Sequence, residues 1–206
     1  SEGGAGRSIA AHHSQSLEAL WTHFPGVYVA MPSTPFDAKG LLKAAIRDDN
    51  PVMFIEHKMI YNDEGFVPDE DYVVPYSVAD IKGWGTDVTV ISYSRMVLRA
   101  LEAAEQLAEE GIDVEVVDLR TLKPLDMDTV AASVRKTGRV VGISEAYKTG
   151  SFISELAMRI QEEVFDWLDA PIIRVTAANV PVPMSEPLED ACIPSVERII
   201  AGIRRV

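Results

Sequence analysis

The amino-acid sequence predicts an α/β fold built on a doubly wound, mostly parallel sheet. Short apolar runs of four or five residues alternate along the chain with longer segments in which apolar residues recur at helical spacing. Such alternation is typical of parallel sheets whose strands are connected through helices. Glycine, proline or a helix-capping residue separates most of these segments, which gives each element a defined beginning and end.

The first part of the chain predicts helix, strand, helix and strand. The predicted elements are a helix over 14–24 capped by Ser14, a strand over 27–31, a helix that begins at Pro35 and stops at 48–51, and a strand over 52–55. Ser33 or Thr34 can cap the second helix, whose first turn suits Pro35. Pro51 ends that helix because proline disfavours helical backbone at the preceding residue.

The alternation stops over residues 58–85 and returns at Asp87. The interrupted stretch is acidic and contains proline, and it predicts an irregular crossing with a strand or two. Beyond it, strands are predicted over 88–91, 114–117, 139–143 and 172–176, and helices over 96–110, 127–136, 151–164 and 195–206. Asp126 and Ser151 are the expected caps of two of these helices, and Gly111 and Gly138 follow the ends of two.

The composition is that of a globular protein and excludes several other classes. The chain has 206 residues, 47% hydrophobic and 25% charged, which excludes a disordered, collagen-like or disulfide-rich chain. Asp and Glu outnumber Lys and Arg by 32 to 19, a net charge of −13 that opposes binding to nucleic acids or anionic membranes and favours a basic protein partner. No apolar run is long enough to span a bilayer. Cys192, the only cysteine, is expected to pack in the core of a cytoplasmic protein.

The glycine-rich segment Gly3-Gly4-Ala5-Gly6 is unusual because no strand is predicted before it. Glycine loops of α/β proteins normally follow a strand, so we expect either a flexible leader or a chain that begins partway through a domain. A nucleotide-phosphate site is the weaker alternative, since the third glycine of the dinucleotide motif is missing and no acidic residue follows at the required distance. A loop that only packs its backbone is the stronger one.

Two places in this first part are candidates for chemistry. His12 and His13 follow the glycine-rich segment and precede a predicted helix, where an imidazole could transfer a proton near neutral pH; the alternative is a pair of ordinary loop residues. The end of the second predicted helix exposes carbonyl groups beside Asp48 and Asp49, and oxygen ligands suit a hard cation. The alternative there is a plain turn. No spacing of histidine, cysteine or carboxylate predicts a zinc site.

Two later segments predict ligand or partner contacts. Glu145 follows a predicted strand and precedes a helix, which is where ligands of doubly wound sheets bind. Residues 178–185 form a stiff, proline-spaced surface segment of the kind that often makes interfaces. A purely structural loop is the alternative for each.

Several motifs, taken in order, resemble one family. They are His13-Ser14-Gln15-Ser16, Met31-Pro32-Ser33-Thr34-Pro35-x-Asp37-Ala38-Lys39-Gly40-Leu41, Ala45-Ile46-Arg47-Asp48-x-Asn50-Pro51, Val117-Asp118-Leu119-Arg120-Thr121-Leu122-x-Pro124-x-Asp126, Leu168-Asp169-Ala170-Pro171, Val180-Pro181-x-Pro183 and Leu188-Glu189-Asp190. Over residues 3–206 the sequence resembles the β subunit of the thiamine-diphosphate-dependent 2-oxo-acid dehydrogenase E1 component, the group that acts on pyruvate, branched-chain oxo acids and acetoin.

The resemblance implies a transketolase-like arrangement. Residues 1–65 would be the C-terminal part of a pyrimidine-binding domain, 66–85 the interdomain crossing, and 86–206 a complete C-terminal α/β domain. The family's pyrimidine-binding domain starts earlier, so the glutamate that activates the cofactor has no counterpart here. Such a fragment is expected to be inactive alone.

The resemblance also implies roles for particular residues. His13 matches a histidine of the active-site channel, where it would bind the oxo acid or the lipoyl group. A structural potassium ion, held by the matching loop in several members, would bind at Ala45, Ile46, Asp48 and Asn50. Thiamine diphosphate and magnesium would be held with the E1 α subunit in the intact heterotetramer, and no cofactor-binding residue is assigned in this chain.

The implied partners are the E1 α subunit, a second β subunit and the basic subunit-binding domain of the E2 acyltransferase. The implied reaction is oxidative decarboxylation of a 2-oxo acid of the pyruvate or acetoin type, with acyl transfer to lipoyl-E2. One alternative is a non-catalytic α/β module that docks the basic E2 domain, which the charge of −13 would favour. A flavin- or nucleotide-binding domain is a further alternative, based only on the α/β alternation.

Overall fold

The computed structural model describes residues 1–206, and no helix in it is both long and apolar enough to cross a membrane. The strands are β1 (Glu2–Gly3), β2 (Tyr28–Ala30), β3 (Val52–Phe54), β4 (Glu56–His57), β5 (Asp80–Gly83), β6 (Val88–Ser92), β7 (Val114–Asp118), β8 (Thr121–Lys123), β9 (Val140–Tyr147) and β10 (Ile173–Ala177). The helices are α1 (Glu18–His23), α2 (Pro35–Arg47), α3 (Arg95–Ala108), α4 (Met127–Thr137), α5 (Phe152–Val164), α6 (Glu186–Cys192) and α7 (Val196–Ile203).

The main sheet confirms the predicted doubly wound architecture. Its strand order is β10-β9-β6-β7-β5, with every neighbouring pair parallel except β5, which lies antiparallel at one edge. All residues of β6 and β7 are buried, because helices cover both faces of the sheet. Helices α4 and α5 pack against one face and α3 and α7 against the other, which gives two separate apolar clusters.

A second, three-stranded sheet joins the two parts of the chain. Its order is β3-β2-β8: β2 pairs parallel with β3 and antiparallel with β8, which follows the main-sheet strand β7 directly. The ammonium group of Lys123 at the end of β8 donates to the carbonyls of Thr22 (3.1 Å) and Phe24 (2.6 Å). The sequence did not predict β8, which has only three residues.

Several helix ends lie where the sequence predicts them. The side chain of Thr34 accepts a hydrogen bond from the Asp37 N–H at the start of α2, and that of Asp126 does the same for Thr129 at the start of α4. Gly138 adopts the left-handed conformation, φ 68°, just past α4.

Two expectations for the N-terminal region are wrong. A strand does accompany the glycine-rich segment, since Glu2–Gly3 pairs parallel with Glu56–His57. The helix predicted over 14–24 is shorter, spanning only α1, and Ser14 is not its cap. The reason is that the Gln15 carbonyl accepts a hydrogen bond from the Gly4 N–H, which holds residues 14–16 alongside the glycine-rich segment instead of in a helix.

Candidate functional site

Two buried carboxylates bind the backbone N–H groups of the glycine-rich segment. Oε1 of Glu145 accepts from the Ala5 N–H at 2.5 Å. The two carboxylate oxygens of Glu189 accept from the Gly6 N–H at 2.8 Å and the Ser8 N–H at 2.7 Å. These donors are the groups that a phosphate would need. The segment is therefore a nest for the protein's own carboxylates, and the nucleotide-phosphate alternative is wrong.

The glycines of this segment are required by its backbone and by its packing. Gly4 and Gly6 have φ values of +83° and +113°, in the region that side chains disfavour. A Cβ at Gly4 would overlap the imidazole of His57, which lies directly against the glycine. The loop therefore depends on both the conformation and the small size of Gly4.

His57 and Glu145 form a buried pair beneath the segment. Nε2 of His57 lies 2.9 Å from Oε2 of Glu145, and Nδ1 accepts the Met59 N–H at 3.2 Å. Because Nδ1 is an acceptor, Nε2 is the nitrogen that donates to the carboxylate. Burial by itself raises the pKa of the Glu145 carboxyl, but His57, the Ala5 N–H and the Arg95 guanidinium outweigh it and hold that pKa below its ordinary value.

The sequence predicted that Glu145 follows a strand ending at 143, but β9 extends to Tyr147 and contains Glu145 near its carboxyl end. The carboxylate contacts the Ala5 N–H, His57 and Arg95 of the same chain. Sequence reasoning assigned no role to His57, and the only signal that could have found it was its position directly after the apolar run of β3.

A third buried carboxyl, that of Glu18, lies nearby and has fewer hydrogen-bond partners. Oε1 accepts the hydroxyl hydrogen of Tyr93 at 2.7 Å, whereas Oε2 has no hydrogen-bond partner. Burial raises the pKa of Glu18 above its ordinary value, and the Tyr93 hydrogen bond offsets only part of that rise. Glu18 and Glu145 both line a cavity of about 20 Å³, which has room for about one water molecule.

His12 and His13 lie on the surface, and a buried lysine side chain binds their backbone from the protein interior. They form one turn of 3-10 helix with their rings 4.3 Å apart, and both side chains are exposed. The buried ammonium group of Lys58 donates to the His13 carbonyl, and the Arg7 guanidinium donates to the Lys58 carbonyl at 2.8 Å. The backbone that carries His13 is thus fixed, while both imidazole rings remain exposed.

The predicted potassium-binding residues lie together at the end of α2. Ala45 and Ile46 belong to the last turn of the helix, and Asp48 is its C-cap. Oδ1 of Asp48 accepts hydrogen bonds from both the backbone N–H and the side-chain amide of Asn50, each at 2.8 Å. These bonds close the turn from within the chain, as a plain Asx turn would.

Residues 178–185 pack against the glycine-rich segment. Val182 forms a small apolar cluster with Ala5 and Ile193, and the Ala178 N–H donates to the Cys192 carbonyl at 2.8 Å. Cys192 itself is buried, as predicted for a packing residue. The sequence missed helix α6, which carries Glu189 and ends at Cys192.

An ionic network lies where β7 and β5 approach α2. Asp37 is fully buried and pairs with the Arg120 guanidinium at 2.7 Å and with the Lys82 ammonium group at 2.8 Å. Asp118 is also fully buried and accepts a hydrogen bond from the Ser33 hydroxyl. Burial raises the pKa of Asp118 to about 6. Ser33, Lys82 and Arg120 also line an open cleft of about 860 Å³.

Two family models match the chain. Residues 77–199 match the C-terminal domain of transketolase, and residues 2–64 match the pyrimidine-binding domain of transketolase.

Characterised relatives align with nearly the whole chain. The acetoin:2,6-dichlorophenolindophenol oxidoreductase subunit β of Cupriavidus necator is 50% identical over 202 residues, which are 98% of this chain and 60% of that protein. The pyruvate dehydrogenase E1 component subunit β of Porphyra purpurea is 43% identical over 204 residues, 99% of this chain and 62% of that protein. The chain thus spans about 60% of the length of these relatives.

A solved structure has the same fold. A split-gene transketolase, described as an inactive β4 tetramer, superimposes with a TM-score of 0.81 at 27% sequence identity. The superposition covers 98% of this chain and 63% of the transketolase chain. Together with the matched domains, this likeness shows that the chain belongs to the transketolase family, and the characterised relatives that align with it are β subunits of acetoin and pyruvate dehydrogenases.

Proposed function

We propose that this chain contributes the β-subunit half of an active site for oxidative decarboxylation of a 2-oxo acid of the pyruvate or acetoin type, with acyl transfer to lipoyl-E2. The observation that carries the proposal is the pair of exposed histidines on a backbone fixed by Lys58. This arrangement lies within the match to the pyrimidine-binding domain. The names of the relatives supply the reaction class.

Thiamine diphosphate is the cofactor that this function requires, and it supplies the carbanion that attacks the oxo acid. The residues of this chain do not by themselves fit it. They contain no group of three or more His, Cys, Asp or Glu that could hold a metal ion, and the glycine-rich segment is already bound by Glu145 and Glu189. We assign the diphosphate and magnesium contacts to the E1 α subunit.

His13 is the proposed catalytic residue. Its ring is exposed, so it can reach a substrate or a lipoyl group bound by a neighbouring subunit, and an imidazole can donate a proton near neutral pH. The hydrogen bond from Lys58 to the His13 carbonyl fixes the backbone from which the ring projects. Less conformational entropy of this backbone is therefore lost when a substrate binds.

Potassium is the proposed ion at Ala45, Ile46, Asp48 and Asn50. The last carbonyl groups of α2 have no partner within the helix, and carbonyl and carboxylate oxygens suit a hard cation. We expect potassium chloride to raise the melting temperature more than sodium chloride at equal ionic strength, and Asp48→Asn to abolish the difference. An equal response to both salts would refute it.

The proposed partners are the E1 α subunit, a second β subunit and the basic subunit-binding domain of E2, all in the cytoplasm. The charge of −13 favours attraction of a basic domain, and such attraction weakens with salt. Apolar side chains of α1 and the residues beside it are about half exposed, Leu17 by 49% and Leu20 by 50%, which favours contact with another subunit.

A second candidate function is a non-catalytic assembly module that docks the basic E2 domain. The observation that favours it is the likeness to a split-gene transketolase chain that is described as inactive in its own tetramer. On this alternative, the chain would bind the E2 domain without supporting turnover in any assembly.

The deciding experiment is to co-purify the chain with an E1 α subunit of a relative and to measure decarboxylation of pyruvate and consumption of acetoin with thiamine diphosphate and magnesium. Because the glutamate that activates the cofactor has no counterpart in this chain, the segment of a relative's β subunit that precedes the aligned residues is fused before Ser1 for this measurement. We expect activity for the complex of this fusion, none for the chain alone, and a loss of at least about 100-fold when the fusion carries His13→Ala. His23→Ala, which removes another exposed histidine, is the control and should retain activity. A stable complex without turnover would favour the docking module instead.

A further inference from the structure

A basic cleft lies along the free edge of the main sheet, away from the histidines. It has a volume of about 390 Å³ and is bounded by β10, by α7 with the turn that follows it, and by the end of β9. Four cationic side chains line it: Lys148, Arg174, Arg198 and Arg205. No aspartate or glutamate lines it, although acidic residues outnumber basic ones by 32 to 19 in the chain.

The fold, rather than the local sequence, brings these cations together. Arg174 and Thr176 are two residues apart on β10 and therefore point to the same side of the strand. Arg198 and Arg205 are seven residues apart, so they lie two helical turns, about 10 Å, from each other on one side of α7 and its following turn. Ala201 and Gly202 line the cleft between them, and Gly202 packs closely against Val175 of the sheet.

None of the four cations is paired with a carboxylate. The Arg198 guanidinium donates to the Thr176 carbonyl at 2.7 Å and the Ile193 carbonyl at 2.9 Å, and the Arg174 guanidinium donates to the Lys148 carbonyl at 3.2 Å. These neutral acceptors orient the two guanidinium groups without cancelling their charge. The side chains of Lys148 and Arg205 are exposed and form no hydrogen bond within the chain.

We propose that this cleft binds a small anion that carries phosphate groups. Oriented guanidinium groups suit phosphate oxygens because they offer several donors in a fixed plane. The volume is in the range of small-molecule sites, and the cleft runs along the edge strand β10, with Lys148 beyond the carboxyl end of β9. The inference is independent of the proposed function, since it involves neither His13 nor the cofactor.

The test is isothermal titration of the full chain with pyrophosphate, inorganic phosphate and ATP at low ionic strength. We expect saturable binding of one pyrophosphate or ATP per chain, weaker binding of inorganic phosphate, and lower affinity as chloride is added. Tighter binding of ATP than of pyrophosphate would identify a nucleotide as the source of the phosphate, and equal binding would identify the diphosphate group alone.

The matched variants carry the same change in charge. Lys148→Gln with Arg205→Gln alters two exposed side chains that form no bonds in the fold, and we expect it to weaken pyrophosphate binding by about 10-fold or more. The control, Arg135→Gln with Arg139→Gln, alters two exposed arginines outside the cleft and should change the affinity less than about twofold.

Three results would overturn the proposal. They are the absence of saturable binding by the wild-type chain, an equal loss of affinity in the cleft variant and in the control, and binding of a polyglutamate peptide that pyrophosphate does not displace. The last result would point to an acidic protein segment as the occupant.

Discussion

Glu189 binds Ser8 across most of the length of the chain: its carboxylate accepts the Ser8 N–H at 2.7 Å, and the two residues are 181 positions apart. The same carboxylate accepts the Gly6 N–H at 2.8 Å, and Glu189 is only 1% exposed to solvent. A single side chain of α6 therefore binds two backbone N–H groups of the segment that leads to the two exposed histidines.

Replacing Glu189 should loosen the N-terminal segment. Glu189→Ala leaves two N–H groups without acceptors, and we expect it to lower the free energy of unfolding by about 2–4 kcal/mol. Glu189→Gln should cost less, because one oxygen remains. Urea denaturation measures the loss, and proteolysis within residues 3–13 measures the local loosening. Glu186→Gln, an exposed change on the same helix, is the control; an equal effect there would contradict the prediction.

The contact between Gly4 and His57 can be separated from backbone strain. Gly4→Ala places a methyl group in a left-handed conformation and against the imidazole, whereas Gly150→Ala meets the same backbone constraint, φ +69°, with nothing within 4 Å. We expect Gly150→Ala to cost about 1–2 kcal/mol and Gly4→Ala at least about 2 kcal/mol more, since the ring must move. Thermal melts of both variants test this. Equal losses of stability would show that the His57 ring can move aside at no cost.

Asp118 should contribute more to the free energy of unfolding in mild acid than at neutral pH. Burial raises its pKa to about 6 from an ordinary value of 3.8, so the contribution of its protonated form is fully present below about pH 4 and is lost as the pH rises through 6. The shift corresponds to roughly 3 kcal/mol. Asp118→Asn should therefore flatten the change in unfolding free energy between pH 4 and 7. Asp63→Asn, an exposed change, should leave that change as it is in the wild type.

Glu145 should act in the opposite direction. His57, the Ala5 N–H and Arg95 hold its pKa below the ordinary value despite burial, so its stabilisation is present above the unfolded pKa and is lost as the pH falls through the folded one. We expect Glu145→Gln to reduce the loss of stability on acidification, as followed by urea titrations at pH 3 to 6. The exposed Glu155→Gln serves for comparison, and an unchanged acid slope in Glu145→Gln would refute the assignment.

The elements that the sequence predicts well are those determined by local rules. Helix α2 begins at Thr34-Pro35 and α4 ends at Gly138, because caps and proline act on their immediate neighbours. The strands of the main sheet were found because burial on both faces leaves continuous apolar runs, as in β6 and β7.

The elements that the sequence misses depend on distant partners. The pairs of β1 with β4 and of β2 with β8 involve two or three residues each, too few for a periodic pattern. The same holds for the site. His13 was identified through a motif. The hydrogen bond from Lys58 to His13, and those from the glycine-rich segment to Glu145 and Glu189, join residues 45 to 183 positions apart, which a local pattern cannot reveal.

The dependence of residues 4–8 on Glu145 and Glu189 also sets an order for folding on the ribosome. The segment precedes the acceptors for its N–H groups in the chain, and these acceptors emerge only after another 140 to 183 residues. At ordinary elongation rates that interval is roughly 10 to 40 seconds. The hydrogen bonds of the Gly6 and Ser8 N–H groups therefore cannot form until Glu189 of α6 has been synthesised.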